Sequence, residues 1–103
     1  MMIRHVVSWN FRPELTEEQR QSVREEVLTR LHALKGQLSY LRDIHAYCPP
    51  LDGSNCDLVS HVVLDCEEDL VRYQKDPDHL AVVPLIQANF CDRRCCDIPA
   101  DGL

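Results

Sequence analysis

Residues 3 to 11 alternate strictly between two faces. Ile3, His5, Val7, Trp9 and Phe11 share one, and Arg4, Val6, Ser8 and Asn10 share the other. A period of two in β-branched and aromatic residues predicts a strand whose first set faces a core, and Pro13 ends it. Thr16-Glu17-Glu18-Gln19 is a capping box, in which the Thr hydroxyl serves an orphan N–H and Gln19 reaches back to the cap. Val23, Val27, Leu28, Leu31 and Leu34 then recur at helical spacing, with acids in the first turn and Lys35 in the last. Gly36 is expected to supply a left-handed stop. About twenty residues give a helix of about 30 Å.

A second strand is predicted over 38–48, with Tyr40, Arg42, Ile44, Ala46 and Cys48 alternating against Leu41, Asp43, His45 and Tyr47. Pro49-Pro50-Leu51-Asp52-Gly53-Ser54-Asn55 is turn chemistry. A third strand, 56–66, sets Leu58, Ser60, Val62 and Leu64 against Asp57, Val59, His61, Val63 and Asp65. Glu67-Glu68-Asp69 opens a second helix carrying Leu70 and Tyr73, and Asp76-Pro77 breaks it and restarts it. The restarted helix groups His79, Val83, Ile86 and Phe90 on one face, with Pro84 expected to bend or shorten it. A short last strand over 93–98 precedes a Pro-Ala-Asp-Gly tail.

The order β-α-β-β-α-β, with its second helix broken, predicts one ferredoxin-like α+β domain over residues 1–103. In that plan two helices cover one face of a four-stranded antiparallel sheet. The uncovered face carries Val6, Val59 and Val63 with Ser8 and His61. Such a patch calls for a partner, and a second copy would complete a homodimer in the form of a dimeric α/β barrel.

Composition narrows the function. The 103 residues, 45% of them hydrophobic, suffice for one core and not two. Eleven Lys and Arg against seventeen Asp and Glu leave a net charge of −6. That balance argues against nucleic acid and against anionic membrane surfaces. No apolar run approaches the roughly 18 residues of a membrane helix, and His5, Ser8 and Asn10 interrupt any signal-like stretch at the start. The expectation is a cytoplasmic protein. Its six cysteines fall below the roughly 8–10% of a disulfide scaffold and are read as reduced thiols.

Three stretches together resemble the stress-responsive A/B barrel (Dabb) family. They are Met2-Ile3-Arg4-His5-Val6-Val7-Ser8-Trp9-Asn10-Phe11, Asp57-Leu58-Val59-Ser60 with Leu64-Asp65-Cys66-Glu67-Glu68-Asp69-Leu70, and Tyr73-Gln74-Lys75-Asp76-Pro77-Asp78-His79-Leu80, closing at Asp97-Ile98. The likeness spans nearly the whole chain and implies a small, dimeric, ferredoxin-like protein. Most members are described only as stress-responsive. One branch, the plant olivetolic acid cyclase type, closes a linear polyketide by a cofactor-free aldol condensation. Its catalytic Tyr and His fall at Tyr73 and His79, and its first-strand His at His5. Two departures stand out: the usual His-Pro-x-His is Asp76-Pro77-Asp78-His79, and the third-strand His of the cyclase is Leu58. The resemblance therefore does not extend to that substrate.

Each candidate residue has a structural reading beside its chemical one. On one continuous helix Tyr73 and His79 would point about 240° apart, so only the break at Asp76-Pro77 can bring them over a shared cavity. There a neutral imidazole suits proton abstraction next to a carbonyl, and a phenol suits the enolate oxygen. Alternatively Tyr73 packs under the sheet and His79 bonds a backbone carbonyl. His5, Val7, Trp9 and Val83 would line the same pocket, or serve as core. Cys91-x3-Cys95-Cys96 lacks a second pair at zinc spacing, and vicinal cysteines on a strand face opposite ways. No metal and no cofactor are expected, and a thiol redox sensor is a third, lesser reading. The sequence holds no phosphate loop, no Gly-x-Ser-x-Gly and no zinc-type His pair. The leading expectation is a pocket for a small hydrophobic or aromatic molecule, with acid–base chemistry at His79 assisted by Tyr73. The competing one is a non-catalytic stress or assembly protein whose histidines are structural.

Overall fold

The computed structural model describes residues 1–100. Four strands, β1 (Ile3–Phe11), β2 (Leu41–Tyr47), β3 (Leu58–Leu64) and β4 (Phe90–Pro99), form one antiparallel sheet in the order β2-β3-β1-β4. Helices α1 (Glu17–Gln37), α2 (Glu67–Lys75), α3 (Pro77–Leu80) and α4 (Val83–Asn89) complete a ferredoxin-like α+β fold. The end of the Pro-Ala-Asp-Gly tail lies outside the described residues.

The alternation in β1 carries through: Ile3, His5, Val7, Trp9 and Phe11 are all buried. Their neighbours across the sheet are Leu58, Ser60, Val62 and Leu64. On this floor α1 lays Val27, Leu31 and Leu34, each at most 2% exposed. A fully buried aliphatic side chain contributes about 1.5–3 kcal/mol, so this layer supplies much of the stability. The capping box forms reciprocally: Gln19 N–H donates to Thr16 Oγ1 (3.2 Å) and Thr16 N–H donates to Gln19 Oε1 (2.8 Å).

Four local expectations are corrected. Gly36 does not stop α1: the helix runs through it to Gln37, without a left-handed φ at Gly36. Leu38 ends the helix instead, extended and 3% exposed, its N–H donating to Leu34 O at 2.9 Å. The stop comes from burying an apolar side chain. In β2 the register shifts between Leu41 and Asp43, so Leu41 and Ile44 both reach the core although their numbering sets them on opposite faces. Lys35 Nζ holds this bulge by donating to Arg42 O (2.6 Å) and Asp43 Oδ1 (3.2 Å). Pro84 neither bends nor shortens a helix but stands in the first turn of a new one, α4, where its missing N–H costs nothing. Finally, β4 is longer than expected, because Phe90 leaves the helix face and stacks on Phe11, ring centroids 4.8 Å apart.

β4 is a sheet edge, and its register against β1 shifts between Ser8 and Asn10. At this bulge Asp92 takes a left-handed φ of 55°, and Asn10 Nδ2 donates to its carboxylate at 3.3 Å. The bulge sets which β4 residues face the helices. Cys95 falls opposite Val7 and Asp97 opposite His5, whereas Cys96 falls opposite Val6 on the other face. That outer face carries half-buried Val6, Val59, His61 and Val63.

Candidate functional site

Between the sheet and the segments α2 to α4 lies a cavity of about 360 Å³. His5, Val7, Trp9, Tyr73, His79 and Val83 all line it, joined by Leu31, Ser60, Ile86 and Arg93. The volume lies within the range of about 300–1,000 Å³ typical of small-molecule pockets. A larger polar groove of about 610 Å³ runs along the β1–β4 bulge past Asn10, Asp92 and Arg94, without a histidine or tyrosine in its walls.

The break between α2 and α3 creates the central juxtaposition. Asp76 caps α3, Asp78 N–H donating to its Oδ1 at 2.9 Å, while Tyr40 Oη donates to its Oδ2 at 2.9 Å. The Arg72 guanidinium lies over the Tyr40 ring, 4.1 Å from its centroid. Pinned by both carboxylate oxygens, the chain turns between Lys75 and Pro77. The rings of Tyr73 and His79 consequently stack, with centroids 4.1 Å apart and planes at 29°. His5 meets Tyr73 edge-on, its centroid 6.0 Å away.

Electrostatics set the protonation states. Burial, followed by the proximity of His5, pushes the His79 imidazole below its ordinary range, so it is neutral at pH 7. Its Nδ1 is sealed from solvent without a hydrogen bond of normal geometry, and the Tyr73 backbone beside the ring offsets part of that lowering. Burial also raises Tyr73 above the ordinary phenol range, which keeps it a proton donor. Burial and the hydrogen bond to Asp76 push Tyr40 up to about 12. His5 is only 4% exposed, and its Nδ1 lies 2.5 Å from Asp97 Oδ1.

Two site residues escaped the reading of the sequence as functional candidates. Ser60 is 4% exposed and lines the cavity from β3. Its signal was present, since it is the one polar residue in the inward set Leu58, Ser60, Val62, Leu64. Asp97 left no such signal, because its pairing with His5 depends on the β4 bulge.

Fold and site together define a small α+β protein of the ferredoxin-like class with a pocket on the helix side of its sheet. The chain belongs to the stress responsive A/B barrel domain family, whose model matches residues 3–100. It is similar to a dimeric ferredoxin-like protein of unknown function from Bacteroides fragilis NCTC 9343, at 21% identity over 96% of each chain and a TM-score of 0.88. A dimeric ferredoxin-like protein of unknown function from Thermobifida fusca YX is 26% identical, with 97% of this chain and 92% of that one covered and a TM-score of 0.81. The hydroxynitrile lyase from Passiflora edulis shares the fold at 7% identity, covering 99% of this chain and 95% of that one, with a TM-score of 0.78. No curated protein matches the chain.

Proposed function

We propose that this protein binds a small hydrophobic or aromatic molecule in the pocket of His5, Tyr73 and His79, and that His79 acts there as an acid–base group. One observation carries the reading. The neutral His79 ring stacks on Tyr73 at the wall of a cavity of about 360 Å³ that also takes in His5 and Ser60. Apolar walls from Val7, Trp9 and Val83 suit an aromatic body, and the few polar groups, His5, Ser60, Tyr73 and His79, suit a carbonyl or hydroxyl. In the reaction, neutral His79 removes a carbon-bound proton next to a carbonyl, and the Tyr73 phenol donates to the enolate oxygen. The residues need no cofactor for this step.

A second copy covers the outer sheet face in this reading. Its half-buried valines support that, as do the dimers described for similar structures. Six free thiols fit a reducing, cytoplasmic setting.

The test is deuterium exchange. Wild type incubated in D2O with aryl 1,3-diketones should speed exchange at the acidic carbon, and His79→Ala should abolish the acceleration. Exchange at the buffer rate with wild type refutes the acid–base role. The competing reading, a non-catalytic assembly or stress protein, draws on the Tyr73–His79 stack, with Tyr73 only 2% exposed. It predicts no exchange and no ligand.

A further inference from the structure

We propose that His5, Cys95 and Asp97 form a divalent-metal site, suited to Zn²⁺, at the edge of the sheet beside the pocket. Their donor atoms lie within 4.8 Å of one another. Cys95 Sγ is 3.7 Å from His5 Nδ1 and 3.7 Å from Asp97 Oδ1, and these last two are 2.5 Å apart.

The arrangement has a chemical direction. A Cys–His–Asp relay for nucleophilic catalysis places the thiol and the carboxylate on opposite ring nitrogens. Here both approach the same Nδ1. The three donors converge on one point, as a chelate requires and a relay forbids. In a tetrahedral zinc site, bonds of about 2.0 Å to nitrogen and oxygen and about 2.3 Å to sulfur hold neighbouring donors about 3.3–3.6 Å apart. Both sulfur distances, 3.7 Å, lie within about 0.2 Å of that geometry. Only the His5–Asp97 pair must open, by about 0.8 Å on that geometry, and the Asp97 side chain, 40% exposed, has solvent to open into.

Charge and coordination agree. One thiolate and one carboxylate offset a divalent cation, and a mixed nitrogen, sulfur and oxygen set suits borderline Zn²⁺ over Mg²⁺ or Ca²⁺. The exposed Arg93 guanidinium hydrogen-bonds Cys95 from the same face, and the ion would have to displace it. Three protein ligands leave a fourth position for water, as in catalytic rather than structural zinc sites. Binding would release the thiol proton and move the His5 ring proton to Nε2. This pairing departs from the expectation of no metal, which weighed Cys91, Cys95 and Cys96 together. Cys96 lies on the opposite face and takes no part.

The experiment titrates the reduced, full-length protein with Zn²⁺ alone by calorimetry and with Co²⁺ by absorption. Wild type should take up one ion per chain, and Co²⁺ should give a thiolate charge-transfer band. Cys95→Ser should lose the band and weaken Zn²⁺ well beyond the 10-fold that even an outer partner's loss brings, roughly, and Asp97→Asn should weaken it likewise. Cys96→Ser and His79→Ala should bind as wild type does, which separates this site from the acid–base reading of the pocket. Absent uptake by wild type overturns the proposal. So does uptake that survives in Cys95→Ser or disappears in Cys96→Ser.

Discussion

Replacing Asp76 by Ala tests whether the break between α2 and α3 is held by that one carboxylate. Its Oδ1 accepts the Asp78 N–H at 2.9 Å and its Oδ2 accepts the Tyr40 hydroxyl at 2.9 Å. An N-cap is worth about 1 kcal/mol. The partly buried hydrogen bond to a carboxylate adds about 1 kcal/mol, at the low end because it is partly solvated. Asp76→Ala should therefore cost about 2 kcal/mol, which in a domain of this size lowers Tm by roughly 8–16 °C. Asp76→Asn keeps the cap oxygen and can donate its amide to the Tyr40 oxygen, so it should lose less than about 1 kcal/mol. Circular dichroism melts of both variants give the numbers, and a double-mutant cycle with Tyr40→Phe isolates the hydroxyl contact. If Asp76→Ala melts within the change of an inert surface substitution, about 0.5 kcal/mol, the carboxylate does not hold the break. The stacking of Tyr73 on His79 would then need another cause.

Three further outcomes follow from the same contacts. Gly36→Ala should stabilise the fold by about 0.5–1 kcal/mol in urea titrations, because Gly36 is helical and its added Cβ would meet nothing within 4 Å. Val59→Asp on the outer sheet face, which lies opposite Ser8 and Tyr47, should leave a folded monomer in sedimentation, where the proposed assembly has wild type sedimenting as a dimer. Stability should fall as pH drops below the ordinary histidine value of 6.5, since burial depresses His79 in the folded chain and the unfolded chain takes the proton first. The slope stays under the ceiling of about 1.4 kcal/mol per pH unit, because the ring is partly open to solvent. His61, depressed by burial and by Arg4, adds in the same direction. His79→Gln should flatten part of that slope in melts between pH 7 and pH 5, roughly the interval where histidines titrate.

Much of the fold was legible because the periodicities are clean and agree with the chemistry at the element ends. The alternation from Ile3 to Phe11, the Thr16 capping box and the Asp76-Pro77 restart each declare a local preference that tertiary packing keeps. The misread places are those where packing overrides the local signal. Gly36 offers a helix stop, but burial of Leu38 lets the helix continue past it. Leu41 and Ile44 both belong in the core, and a bulge satisfies them against strict alternation. The site divides the same way. Tyr73 and His79 could be joined on paper through the break between them, whereas Asp97 and Cys95 reach His5 only through the register of an edge strand with a bulge at Asp92. No local rule encodes that register.

The most direct measurement is the melting temperature of wild type and His79→Ala against a panel of small aromatic and polyketide-like acids. A ligand at about 100 times its Kd adds about 2.7 kcal/mol, which raises Tm by roughly 10–20 °C in a domain of this size. The expected result is a compound class that shifts wild type and leaves His79→Ala unmoved. A panel that shifts neither protein, or shifts both equally, contradicts a ligand held by His79.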